Sequence, residues 1–179
     1  MNEPTRFSAI RLGAVLLVLL GTVGCDQATK HFARAELSQL VPQALPGGFI
    51  ELTLAENPGA FLSLGASLPA TVRGALLTLA VGLGLAILLA YLLGVARLRR
   101  LSFLGLALIL AGGTSNLVDR LARHGLVTDF VVIRAGPFHT GIFNGADLAL
   151  MAGALMLVLS LRARPREGEA RGSEKDSST

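Results

Sequence analysis

Three aspartates are the only acidic residues in a long interval of the chain. Between Glu56 and Glu167 the acids are Asp119, Asp129 and Asp147. Asp147 stands at the mouth of an apolar run, where an ionisable group is costly unless it has a partner or a task. Two close carboxylates can share one proton, so that one acts as general base toward water and the other as general acid. Such a pair can hydrolyse a peptide bond without a metal or a nucleophilic side chain.

The spacing suggests which two aspartates form the pair but does not settle it. Asp129 and Asp147 lie just outside and just inside the predicted start of an apolar helix. Asp119 is the rival partner, but the cation of Arg120 beside it favours an ionised structural clamp. Capping or turn formation would equally explain Asp129, whereas a cap does not explain Asp147 if it lies several residues inside the helix. Asn144 lies three residues before Asp147 and is placed to orient it.

The composition points to a membrane protein. Of the 179 residues 52% are hydrophobic, and the mean hydropathy is +0.62. The net charge of +4 comes from basic residues beside apolar runs, which favours orientation in a membrane over nucleic-acid binding. The single cysteine, Cys25, excludes an internal disulfide, and the three histidines lack ligand spacing. We expect no metal, no cofactor and no nucleic acid.

Four apolar runs define the expected fold class, an all-α membrane protein with four transmembrane helices and a small extracytoplasmic β-sheet and loop cap. Runs of about 18 residues or more are long enough to cross the hydrocarbon core. The predicted spans are residues 10–27, 70–95, 101–118 and 141–161, with the cap at 28–68 and 119–140.

The cap sequence contains strand and turn signals. Residues 48–56 partly alternate apolar and polar types and predict a strand, followed by a turn at 57–59 and a return strand at 60–62. The segment 119–140 is interpreted as a mixed loop broken at Gly136-Pro137. Within the fourth span, small residues at every fourth position predict close helix packing; they are Gly141, Gly145, Ala149 and Gly153.

Charge placement predicts the orientation in the membrane. Of the 16 Lys and Arg residues, ten fall in the N-terminal segment, the loop at 97–100 and the C-terminal tail. Excess positive charge marks the cytoplasmic side, so both termini are expected there. One four-span membrane domain is then expected over 1–166, followed by a disordered cytoplasmic tail over 167–179. This topology gathers one set of polar residues at the outer face: Asp26, Asn57, Asn116, Asp119, Asp129, Asn144 and Asp147.

Five ordered motifs resemble those of lipoprotein signal peptidase, also called signal peptidase II. They are Asp26-Gln27-Ala28-Thr29-Lys30, Asn57-Pro58-Gly59-Ala60-Phe61, Asn116-Leu117-Val118-Asp119-Arg120, Val127-Thr128-Asp129-Phe130 and Phe143-Asn144-Gly145-Ala146-Asp147. The resemblance spans roughly residues 10–162. It implies an aspartic endopeptidase that cleaves prolipoprotein signal peptides on the amino side of a diacylglyceryl-modified cysteine.

The resemblance also implies roles and surroundings. Asp129 and Asp147 resemble the catalytic pair, and the implied supporting or substrate-binding residues are Asp26, Lys30, Asn57, Gly59, Asn116, Asp119, Arg120 and Asn144. The implied setting is a monomer among lipids of the bacterial inner membrane, with its active site at the extracytoplasmic face. The chain departs from the family's usual residues at Glu56, Ser115 and Thr128.

Other protein classes remain open at this stage. A proton-coupled transporter also uses membrane carboxylates, but it is expected to place them near mid-bilayer and to show inverted repeats. The apolar run before Cys25 is similar to a lipoprotein signal peptide, although Thr22 is unusual there and the rest of the chain is then unexplained. A purely structural membrane protein would tolerate loss of Asp129 and Asp147 together.

Overall fold

The computed structural model describes residues 4–58, 69–95 and 98–162. Its helices are α1 (Pro4–Glu36), α2 (Ala70–Gly94), α3 (Arg100–Ala122) and α4 (Gly145–Arg162). Its strands are β1 (Gln43–Ala44), β2 (Ile50–Asn57), β3 (Val127–Ala135) and β4 (Phe138–His139). Each helix is long and apolar enough to cross a membrane. The expected fold class, four spans with a small sheet, is confirmed.

The helix boundaries differ from the predicted spans where polar residues find buried partners. The second span agrees closely, but α1 continues nine residues past position 27 and α3 continues four past position 118. The charged residues in these extensions, such as Lys30 and Asp119, are paired inside the bundle and therefore do not end the helices. Helix α4 begins at Gly145 rather than near 141, because Asn144 provides its N-terminal cap.

A four-stranded antiparallel sheet with the order β1-β2-β3-β4 covers one end of the helices. The prediction that 119–140 is a loop is wrong, since it contains the end of α3, strand β3 and a hairpin. Gly136 and Pro137 are the two residues of that hairpin, and Gly136 has a positive φ of 61°, as such turns require. The expected strand at 48–56 is observed one to two residues later, with Asn57 ending the strand rather than starting a turn.

Strand β3 depends on a partner that is distant in sequence. It pairs with β2, and the register places Ala55 opposite Asp129 and Asn57 opposite Val127. The polar side chains of Thr128 and Asp129 obscure the apolar–polar alternation by which a strand is predicted. The backbone hydrogen bonds to β2 nevertheless make this segment a strand. The proposed return strand at 60–62, Gly59 and the tail at 167–179 lie outside the described residues.

Helices α3 and α4 approach so closely that their contacts require glycine. A Cβ on Gly105 would lie 2.8 Å from the backbone oxygen of Gly153, and one on Gly112 would lie 2.5 Å from that of Ala146. Gly153 belongs to the predicted small-residue ladder, whereas Gly141 precedes the helix. This packing brings the start of α4 beside the ends of α1 and α3 and beneath the sheet, so the polar residues of four elements meet.

Candidate active site

The carboxylates of Asp129 and Asp147 meet on either side of Asn144. Asp129 lies on β3, and Asp147 lies in the first turn of α4. The side-chain Nδ2 of Asn144 donates to Asp129 Oδ1 at 2.6 Å, and its backbone nitrogen donates to Asp147 Oδ2 at 3.1 Å. One residue therefore fixes an oxygen of each carboxylate.

Asn144 and Asp147 also form a reciprocal cap at the start of α4. The backbone nitrogen of Asp147 donates to Asn144 Oδ1 at 3.0 Å, while Asp147 Oδ2 accepts the backbone N–H of Asn144. The expectation that a cap cannot account for Asp147 is therefore wrong, because the helix begins only two residues before it. The cap occupies Oδ2 of Asp147, whereas Oδ1 accepts a hydrogen bond from Asn116.

Two further asparagines complete the surroundings of the pair. Asn57 Nδ2 donates to Asp129 Oδ2 at 3.0 Å, and Asn116 Nδ2 donates to Asp147 Oδ1 at 3.0 Å. From the described residues each carboxylate thus receives two N–H donors, and these four donors are neutral. Neutral donors fix the direction of the oxygens without cancelling the negative charge.

Burial and the neighbouring acid both act on Asp129. Its side chain is only 3% exposed. Burial raises the pKa of the Asp129 carboxyl above its usual range, the charge of Asp147 raises it further, and the hydrogen bonds from Asn57 and Asn144 together with the charge of Lys30 oppose the rise. Asp129 therefore holds a proton more readily than an exposed aspartate does, which suits a group that exchanges protons with water.

Lys30 forms a second polar cluster below this pair. Its side chain is fully buried, and Nζ lies 2.7 Å from Asp26 Oδ2 and 3.0 Å from Asp119 Oδ2. Nζ also donates to Asn116 Oδ1 at 2.9 Å. The spacing of Asp26 and Lys30 suggests a simple helix-end ion pair, but the structure places both in the interior of the bundle.

The second cluster holds the elements that carry the first. Asp26 Oδ1 accepts the backbone N–H of Ala146 at 2.8 Å, which fixes the first turn of α4. Asp119 Oδ2 accepts the backbone N–H of Thr128 at 3.1 Å, which fixes the start of β3. The structure therefore places Asp119 in a supporting position, apart from the pair that Asn144 joins.

Arg120 does not fill the role that its position beside Asp119 suggested. Successive residues of a helix point in different directions. The cation in contact with Asp119 is therefore Lys30, while Arg120 Nη1 donates to the backbone oxygen of Asn116 at 3.4 Å. Arg120 instead lines a cleft, together with Asp147.

This cleft has a volume of about 460 Å³ and a mostly apolar wall. Helices α2, α3 and α4 all contribute to it, through Val81, Leu85, Leu88, Ile109 and Leu150. Its polar end is formed by Asn116, Arg120 and Asp147. An apolar segment lying in the cleft would pass beside the carboxylate of Asp147.

Several contributors carry no recognisable chemical signal in the sequence. Gln27 Nε2 donates to Asp119 Oδ1 at 3.1 Å, and Ser115 Oγ donates to Asp26 Oδ2 at 2.6 Å. Thr128 is buried, and its hydroxyl accepts hydrogen bonds from Arg34 and Arg123. Within the described ranges, no three side chains of His, Cys, Asp or Glu converge as a set of metal ligands.

Comparisons with known proteins agree on one family. A family model described as signal peptidase (SPase) II matches residues 9–162. The lipoprotein signal peptidase of Syntrophus aciditrophicus strain SB is 33% identical over 169 residues, covering 93% of this chain and 99% of that protein. The lipoprotein signal peptidase of Burkholderia thailandensis is 37% identical over 160 residues, covering 87% and 89%.

A solved structure has the same fold. It is a bacterial membrane enzyme determined by the in meso method at 1.9 Å resolution, with a TM-score of 0.72 and 23% sequence identity. The match covers 86% of this chain and 95% of that one.

Proposed function

This chain belongs to the signal peptidase II family, and from that premise we propose that it is an aspartic endopeptidase of prolipoproteins. Its substrates carry a diacylglyceryl-modified cysteine, and it cleaves the peptide bond on the amino side of that cysteine to release the signal peptide. The observation that supports the aspartic mechanism is the double contact of Asn144, which joins the carboxylates of Asp129 and Asp147.

The chemistry requires one proton shared by the two carboxylates. The ionised member takes a proton from water as the water oxygen attacks the carbonyl carbon of the scissile bond. The protonated member donates to the carbonyl oxygen, and the tetrahedral intermediate collapses with breakage of the C–N bond and proton transfer to the leaving amine. The four neutral donors hold the carboxylates in place during both transfers. No metal or organic cofactor enters this scheme.

The cleft between α2, α3 and α4 suits the substrate. Its apolar wall matches the hydrophobic core of a signal peptide, and its polar end holds Asp147. The lipid part of the substrate enters sideways from the bilayer. In this proposal the protein is a monomer in the bacterial inner membrane, with the carboxylates at the extracytoplasmic face and both termini in the cytoplasm.

The test is cleavage of a diacylglyceryl-modified prolipoprotein by the wild type and by Asp129→Asn and Asp147→Asn. Each asparagine keeps the shape of the side chain but removes its acid–base chemistry. We expect each variant to lose roughly 10²- to 10⁴-fold in kcat, the usual contribution of a general acid or base. Electrophoresis and mass spectrometry of the products check both the rate and the position of the cut.

Glu51→Gln is the matched control, because it removes a carboxylate of the same sheet that pairs with Arg134 rather than with the site. It is expected to retain wild-type cleavage. If a correctly folded Asp129→Asn or Asp147→Asn variant keeps comparable activity, the catalytic pair is wrong. If the folded wild type leaves a range of such substrates uncut, the function itself is wrong.

A further inference from the structure

Thr128 stands immediately before Asp129, and its side chain is fully buried. Its Oγ1 accepts a hydrogen bond from Arg34 Nη1 at 3.2 Å and another from Arg123 Nη1 at 3.2 Å. Arg34 lies in the last turn of α1, and Arg123 directly follows α3. A single hydroxyl therefore ties the ends of two helices to the strand that carries Asp129.

The backbone of Thr128 is held as firmly as its side chain. Its N–H donates to Asp119 Oδ2 at 3.1 Å, and its carbonyl oxygen accepts from Asn144 Nδ2 at 3.3 Å. The same Asn144 amide donates to Asp129. A shift of Thr128 would thus change the distance between Asp129 and the residue that joins it to the other carboxylate.

Arg123 also holds the neighbouring strand, β2. Glu56 is the cross-strand partner of Thr128, and its Oε1 lies 3.3 Å from Arg123 Nη1. Glu56 directly precedes Asn57, which donates to Asp129 Oδ2. This ion pair is partly exposed, so it fixes geometry more than it adds stability.

We propose that the Thr128 hydroxyl is a positioning group for Asp129, held in place by the guanidinium groups of Arg34 and Arg123. The inference rests on the proposed function, because its consequence is read in the cleavage reaction. Thr128 touches neither substrate nor reacting atoms in this scheme. It acts by keeping Asp129 within hydrogen-bond distance of Asn57 and Asn144.

Loss of the hydroxyl has two separable consequences. A misplaced carboxylate slows the chemical step, and displacements of about 1 Å can cost up to about 10²-fold. Weaker hydrogen bonds to the ionised form also raise the pKa of Asp129. The charged groups that face Asp129 are Asp147 on α4, Lys30 on α1 and Arg120 on α3, and none of them changes.

The experiment compares Thr128→Val, which keeps the shape and removes the hydroxyl, with Thr128→Ser, which keeps the hydroxyl. The full-length protein is assayed on a diacylglyceryl-modified prolipoprotein across the acidic pH range. For Thr128→Val we expect kcat to fall roughly tenfold, with KM within about twofold of the wild type. We also expect the acidic limb of the pH–rate profile to move to higher pH. Thr128→Ser is expected to stay within about twofold of the wild type in kcat.

Thr140→Val is the matched control. Thr140 Oγ1 accepts the N–H of Ile133 at 3.0 Å in the same sheet but away from Asp129, so its loss is expected to leave the acidic limb in place. Arg34→Gln provides a second test, because it removes one charged donor and leaves Thr128 itself intact. We expect it to lower kcat by a smaller factor than Thr128→Val.

Two results overturn the positioning role. One is wild-type kcat and an unmoved acidic limb in folded Thr128→Val, or in Arg34→Gln if the valine variant does not fold. The other is an equal loss in Thr128→Ser and Thr128→Val, since volume rather than the hydroxyl would then matter. A wild type that leaves the substrate uncut overturns the proposed function as well, which distinguishes the two failures.

Discussion

Two pairs of carboxylates lie side by side in this protein and are held by different kinds of donor. Asp26 and Asp119 are joined by the ammonium group of Lys30, at 2.7 and 3.0 Å. Asp129 and Asp147 are joined by the neutral groups of Asn144, at 2.6 and 3.1 Å. The geometry is similar, but the charge balance is not.

In the proposed mechanism this difference separates the supporting pair from the reacting pair. In the first pair a buried cation contacts both carboxylates, which act as fixed acceptors for the backbones of α4 and β3. Neutral amides add no charge to the second pair. Burial, together with the charge of Asp147, raises the pKa of Asp129, against the hydrogen bonds from Asn57 and Asn144 and the charge of Lys30.

Asn116 connects the two pairs and has only one possible orientation. Its Oδ1 accepts from Lys30, which can only donate, so its Nδ2 must face the other way, toward Asp147. The cation of the first pair therefore sets the direction of a donor to Asp147, a member of the proposed catalytic pair. Changes in the first pair are expected to reach the second through this amide.

The largest effect is expected for Lys30→Met. It would leave two buried carboxylates without the cation that contacts both, and such losses cost about 3–5 kcal/mol of unfolding free energy. Thermal and denaturant unfolding in detergent micelles measure the change, with Arg134→Gln at an exposed ion pair as the control. A Lys30→Met variant as stable as the wild type would contradict the supporting role.

Asn144→Ser tests the neutral side-chain amide through which Asn144 holds Asp129. Serine still caps α4 but lacks the Nδ2 donor to Asp129 and to the Thr128 carbonyl oxygen, so stability is expected to fall by about 1–3 kcal/mol, less than for Lys30→Met. Activity is expected to fall roughly tenfold, because Asp129 loses a hydrogen bond to its ionised form and moves to a higher pKa. The acidic limb of the pH–rate profile is the readout. An unmoved limb would show that the Asn144 amide does not affect the pKa of Asp129.

The pH dependence of stability offers a smaller test. Because the pKa of Asp129 is raised on folding, the folded protein binds this proton more tightly, and stability falls as pH rises from the unfolded pKa through the folded one. Asp129→Asn removes that slope. We expect the difference in melting temperature, variant minus wild type, to increase with pH across the acidic range. A constant difference would mean that Asp129 titrates normally in the folded protein.

The smallest effect is expected for Glu51→Gln. Glu51 pairs with Arg134 at 2.5 and 3.1 Å on the outside of the sheet, and this contact lowers the pKa of Glu51. Its contribution to stability is present above the unfolded pKa and is lost as pH falls through the folded one. Solvent and salt screen it, so cleavage is expected to be unchanged. A large loss of activity would show that the sheet acts as one unit with the site.

Much of this organisation is encoded locally. The four apolar runs predict four helices, because burial in hydrocarbon depends on composition and length. The motifs around Asp129, Asn144 and Asp147 locate the residues of interest without a structure. The second span and the hairpin break at Gly136-Pro137 are also close to what the structure shows.

The errors arise where a residue's partner is distant in sequence. The segment 119–140 looks like a loop until β2 supplies the hydrogen bonds that make part of it a strand. Arg120 looks like the partner of Asp119 until α1 brings Lys30 into contact with it. Asp147 seems too deep in its helix to be a cap until Asn144 turns out to begin that helix.

The sequence by itself determined the number of spans and the set of polar residues that one end of the bundle must contain. Only the tertiary structure decided how those residues pair, which acids share a cation and which share an amide. The physical reason is that hydrophobic periodicity is a property of neighbouring residues, whereas compensation of a buried charge depends on groups that come together only when helices and strands pack.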